Sequence, residues 1–129
     1  MRKFNSKQTK NEDLTDSFEN VSILFADIVN FTAFSNSVSP SQVFTLLRMV
    51  FTDFDKLCLK HHLYKLYTIG DCYVSISLIE PTNRDIYLEA YNTVIFGFEM
   101  INVINDVRKR ESSFANFNMR IGIHTVIFT

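Results

Sequence analysis

Residues 64–79 read YKLYTIGDCYVSISLI, two β-branched and aromatic runs separated only by Gly70-Asp71. Glycine followed by almost any residue suits a two-residue type II′ turn, so this stretch is expected to form a tight hairpin. So short a connection fixes the pairing register and sets a carboxylate, Asp71, at the tip. The rest of the fold has to give that acid a role or a counter-charge.

The flanking segments supply the other elements. VSILFADI, residues 21–28, alternates well enough for a strand, and its near-continuous apolar character suggests burial on both faces up to Asp27. After a connecting loop, VNFTAFSNS, comes Ser39-Pro40-Ser41-Gln42: an N-cap serine, proline at the first helical position and glutamine at the capping-box position. The helix that follows carries Val43, Leu47, Val50, Phe54 and Leu57 at three- and four-residue steps and fades at Lys60, His61 and His62. Pro81-Thr82-Asn83 breaks the chain and is expected to cap a second helix, with Tyr87, Ala90, Val94, Gly97, Phe98, Ile101 and Ile104 along one face. Gly97 weakens that helix unless close packing needs it. FNMRIGIHTVIF reads as a last strand, in which Gly122 marks a bulge or a close backbone approach.

Strand, helix, strand, strand, helix, strand is the split βαβ order. The expected fold is α+β and ferredoxin-like, an antiparallel sheet with both helices on one face. In that topology the first two helix-linked strands run parallel with the third between them, so the carboxyl end of the first adjoins the hairpin. Asp27 and Asp71 should therefore meet at one sheet edge. Two carboxylates that close repel unless a cation or a shared proton compensates, which favours a divalent metal; hard oxygen donors suit magnesium or manganese.

Composition narrows the partners. With 129 residues there is room for one domain, and a net charge of −1 with interspersed signs offers no basic field for nucleic acid or an anionic membrane. Cys58 and Cys72 have neither disulfide-framework nor metal-knuckle spacing and read as reduced core thiols of a cytoplasmic protein. Residues 1–17 are polar and expected to be a flexible lead-in without signal-peptide character, and no apolar run reaches the length of a membrane span.

Together, FADIVNFT, YTIGDCY and MRIGIHT resemble the class III nucleotidyl cyclase catalytic domain, the family of adenylyl and guanylyl cyclases. The resemblance implies that residues 18–129 form part of such a domain. It also implies conversion of ATP or GTP to a 3′,5′-cyclic nucleotide and pyrophosphate by attack of the ribose 3′-hydroxyl on the α-phosphate. Carried over by position, Asp27 and Asp71 match the two catalytic, metal-binding aspartates, and Ile28 the residue whose backbone carbonyl contacts a metal. Phe31 and Thr32 match the loop whose amides cradle the triphosphate. Two Mg2+ or Mn2+ ions are implied as cofactors, and a second cyclase domain, another copy or a complementary half, as partner. Family catalytic domains act on the cytosolic side, often in membrane-tethered parents.

The departures from the family pattern are informative. Asn30 stands where glycine is usual, and asparagine tolerates positive φ. Tyr67 occupies the purine-contacting position, where its hydroxyl can donate or accept and signals neither base; it reads equally as a packed strand aromatic. After RIGIHT the chain reads VIFT, so the resemblance implies a truncated domain, inactive or very slow alone, with an exposed strand edge. The competing function is a non-catalytic cyclase-like module that pairs with an active cyclase and regulates it. His61-His62 is expected to be a solvated helix end, and His124 a hydrogen-bonded strand residue without catalytic role.

Overall fold

The computed structural model describes residues 18–77 and 80–128. The expected flexible lead-in over residues 1–17, and Leu78 and Ile79 of the expected third strand, lie outside the described residues. The elements run β1 (Phe18–Ile28), α1 (Phe31–Ser37), α2 (Pro40–Lys60), β2 (Tyr64–Ile69), β3 (Cys72–Ile76), α3 (Ile86–Arg110), a 3-10 turn (Ser112–Phe114) and β4 (Met119–Phe128). The sheet order is β2-β3-β1-β4, with β3 antiparallel to both β2 and β1, and β4 antiparallel to β1. This is the expected α+β arrangement, with β1 and β2 parallel around the hairpin's second strand.

Strand parity shows where the core sits. Leu24, Ala26 and Ile28 of β1 and Tyr73 of β3 join Val43, Leu46, Val50, Phe54 and Cys58 of α2 and Phe96, Met100, Ile104 and Val107 of α3 in one buried cluster. Both helices therefore cover the same sheet face. The residues of opposite parity, Ile23, Phe25 and Asp27 of β1 with Val74 and Ile76 of β3, point to the other side. The paired positions Tyr64 and Tyr67 of β2 share that side and remain about half exposed, whereas Val74 and Ile76 beside them are buried.

Local sequence explains most boundaries. Ser39 accepts a hydrogen bond from the Gln42 amide at 3.2 Å while Gln42 Oε1 accepts from the Ser39 amide at 2.9 Å, closing the expected capping box on α2. Gly70 has φ +56° and Asp71 is not among the positive-φ residues, the pattern of a II′ rather than a I′ turn.

Several expectations change. VNFTAFSNS is not a loop throughout: residues 31–37 form α1, started by Asn30 at φ 51°, ψ 50°, the left-handed conformation that the Asn30 reading allowed. The cap of α3 is Asp85, which accepts from the Leu88 amide at 3.0 Å, rather than the Pro81-Thr82-Asn83 stretch. On α2, Leu46 and Cys58 are buried with Val43, Val50 and Phe54, while Leu47 and Leu57 only flank the core. On α3 the buried stripe is Thr93, Phe96, Gly97, Met100, Ile104 and Val107, leaving Tyr87, Val94, Phe98 and Ile101 exposed. A helix apolar on most of its circumference offers several candidate faces, and packing against Leu24 and Ile121 selects among them. Finally, Gly122 pairs with Phe25 in unbroken register, and a Cβ there would meet nothing within 4 Å, so it marks neither a bulge nor a close approach.

Candidate active site

The functional candidates gather where β1 ends. Asp27 lies directly opposite Cys72 on β3 and Arg120 on β4, and Asp71 immediately precedes Cys72 at the hairpin tip. The register thus brings the two aspartates together at one sheet edge, as the topology required. Asp27, Ile28, Asn30, Phe31, Thr32, Ala33, Asn36, Asp71 and Arg120 line an open cavity of about 640 Å³. The Ile28 side chain is buried in the core, so its backbone is what faces this space.

The electrostatics bear the marks of crowded acids. Partial burial pushes the Asp71 carboxyl above the usual carboxylate range, and a side-chain hydrogen bond with Asp27 and the charge of Asp27 add to the rise. Backbone hydrogen bonds from Asp71 itself and Ile28 pull the other way. Burial, then Asp27 and Asp71, likewise raise the Cys72 thiol, which keeps it protonated and inert at neutral pH. Arg120 supplies the opposite charge: its Nη2 donates to Asp27 Oδ2 at 3.2 Å.

The donor set fits a hard divalent cation. It offers two carboxylates and a main-chain segment lining one cavity, with a cationic side chain already resting on one of the acids. Among the described residues no three His, Cys, Asp or Glu side chains converge, so other ligands would be main-chain, water or substrate oxygens. Phe31 and Thr32 lie in the first turn of α1, whose amides have no intrahelical acceptor, and they share the cavity with the aspartates.

Tyr67 is not brought into this group. It sits on β2 across from Val74, 44% exposed on the sheet face opposite the helices and outside the cavity lining. His61 is not a solvated helix end: its side chain is 13% exposed and its Nε2 pairs with Glu99 Oε2. His124 stands opposite Ile23 on β4 and is exposed. Arg120 is the site residue that sequence reasoning missed. It lies within MRIGIHT, but only the β1–β4 register reveals what it faces.

Comparison with known proteins addresses the chain as a whole. Residues 14–127 match the family model of the adenylate and guanylate cyclase catalytic domain. Guanylate cyclase alpha of Plasmodium falciparum is 40% identical over 111 residues, covering 82% of this chain and 3% of that protein. The germination-specific adenylate cyclase of Dictyostelium discoideum is 38% identical over 105 residues, covering 81% of this chain and 12% of that protein. The solved guanylate cyclase domain of RhGC from Catenaria anguillulae, in complex with GTP, superposes with a TM-score of 0.71 at 25% identity, covering 89% of this chain and 60% of that one. The chain therefore spans a small part of these curated relatives and about three fifths of that solved domain.

Proposed function

The chain belongs to the adenylate and guanylate cyclase catalytic domain family, and from that premise we propose that it carries the metal-bearing half of a nucleotidyl cyclase site. The reaction is conversion of ATP or GTP to the 3′,5′-cyclic nucleotide: the ribose 3′-oxygen bonds to the α-phosphorus, the α–β bridging bond breaks, and pyrophosphate leaves. The observation that carries the reading is the convergence of Asp27 and Asp71 in one cavity with Ile28, Phe31, Thr32 and Arg120.

Each residue has a role suited to its chemistry. Asp27, Asp71 and the Ile28 carbonyl would hold two Mg2+ or Mn2+ ions, which when bound lower the pKa of the 3′-hydroxyl and offset the triphosphate charge. The first-turn amides at Phe31 and Thr32 donate to phosphate oxygens, and the Arg120 guanidinium offers a planar pair of donors to the same group. Tyr67 lies beyond the cavity, on the sheet face opposite the helices with Phe25, Tyr64 and Ile69, all large apolar side chains left partly exposed. A second cyclase domain docking there would bury that face and bring Tyr67 toward the purine. No helix among the described residues is long and apolar enough to cross a membrane, and the free thiols Cys58 and Cys72 suit the cytosolic side.

Calorimetric titration of non-cyclisable ATP and GTP analogues with manganese tests this reading. The folded chain is expected to bind at least one analogue, with Asp27→Asn and Asp71→Asn each abolishing the heat. A folded chain that binds neither analogue would sink the reading and leave the non-catalytic regulatory module in its place.

A further inference from the structure

We infer that Arg120 is a built-in stand-in cation for Asp27, which a divalent ion must displace, so that this residue sets how tightly the site takes its metal. The inference rests on the metal-site reading above and concerns the state that precedes loading. Arg120 and Asp27 are directly opposed across β4 and β1, and Nη2 lies 3.2 Å from Oδ2. Arg120 is the cationic side chain among the residues lining the cavity, and the acid it rests on shares that lining with Asp71. Two carboxylates thus face one positive charge.

A guanidinium cannot yield its place by losing a proton, because it stays protonated at any pH a folded protein tolerates. It can only swing away. The swing is cheap, since the Arg120 side chain is 67% exposed and Asp27 40%, and an exposed pair of this kind holds weakly. After release the side chain remains anchored beside the cavity, and a divalent charge on Asp27 would keep it from returning. Arg120 is therefore a positioning residue toward Asp27, acting before any nucleotide arrives.

Nitrogen-15 spectroscopy of the arginine side chains during a Mg2+ titration of the chain tests this directly, with backbone amides followed in parallel. In the metal-free chain, Asp27→Asn should shift the Arg120 guanidinium signal. Mg2+ should move the wild-type signal in the same direction, with the midpoint reported by the Ile28 and Asp71 amides. Arg120→Gln should tighten Mg2+ binding by about two- to tenfold, while Lys109→Gln, which removes one charge at the far end of α3, should leave it nearly unchanged. If the amides respond but the Arg120 signal stays still and Arg120→Gln binds no more tightly than wild type, the stand-in role is wrong and the metal site stands. If Mg2+ moves neither amides nor guanidinium, the metal reading falls and the inference with it.

Discussion

Asp71 at the hairpin tip lies beside Asp27 at the end of the neighbouring strand β1, because Cys72, the residue after Asp71, is the register partner of Asp27. The pair stores electrostatic tension: partial burial and the second acid both disfavour the ionised Asp71. Because its carboxyl titrates higher in the folded chain than in the unfolded one, the folded state holds the proton more tightly. Stability from this group is therefore present at acid pH and lost as pH rises through the raised folded value. Asp71→Asn should raise the melting temperature of the metal-free chain at pH 7, with the advantage shrinking toward pH 4. Thermal unfolding followed by circular dichroism at several pH values measures it; a variant less stable than wild type at pH 7 would contradict the tension.

Glu99 has the opposite sign. The hydrogen bond from Lys60 at 2.8 Å, and then the partnership with His61, hold its carboxyl below the usual carboxylate range despite partial burial. The folded value is depressed, so the stabilisation is present above the unfolded pKa of about 4.3 and lost as pH falls through the folded one. Glu99→Gln should destabilise the chain at pH 6–7, and the deficit should vanish in acid. A deficit independent of pH in urea denaturation would mean that the carboxylate acts through packing alone.

Gly97 faces the sheet from the middle of α3. An added Cβ would meet Ile121 Cγ2, Ile123 Cδ1 and Leu24 Cδ1, each at 3.6 Å, which is ordinary van der Waals contact. Gly97→Ala should therefore recover helix propensity and stabilise by about 0.5–1 kcal/mol. Denaturant titration showing a loss instead would mean that α3 and β4 pack more closely than these distances.

The Ser75 hydroxyl is buried on β3 without a hydrogen-bond partner among the described residues. Removing an unpaired buried hydroxyl relieves its desolvation cost, so Ser75→Ala should be neutral or stabilising by up to about 1 kcal/mol. A loss larger than about 1 kcal/mol in the same titration would reveal a partner for the hydroxyl.

The parts of the fold legible in the sequence were those written locally. The II′ hairpin, the Ser39–Gln42 capping box and the end of α2 near His61 each depend on a few adjacent residues. The meeting of Asp27 and Asp71 was also legible, because strand order and a two-residue turn together fix it. What escaped was decided at a distance. The buried face of α3 depends on which stripe meets Leu24 and Ile121. The short α1 is secured by Phe34, whose ring packs 5.6 Å from Phe117 and 6.3 Å from Phe114, residues some eighty positions away in sequence. Arg120 was invisible for the same reason, since nothing near it in the chain says that β4 will lay it opposite Asp27.

The most direct measurement of the central claim is paramagnetic broadening of the amide spectrum by substoichiometric Mn2+. If Asp27 and Asp71 hold the metal, the first signals lost should be those of Asp27, Ile28, Gly70 and Asp71, with Asn30 and Phe31 close behind, and Asp27→Asn should restore them. Broadening centred instead on His61, Glu99 or His124, with the end of β1 unaffected, would contradict the account.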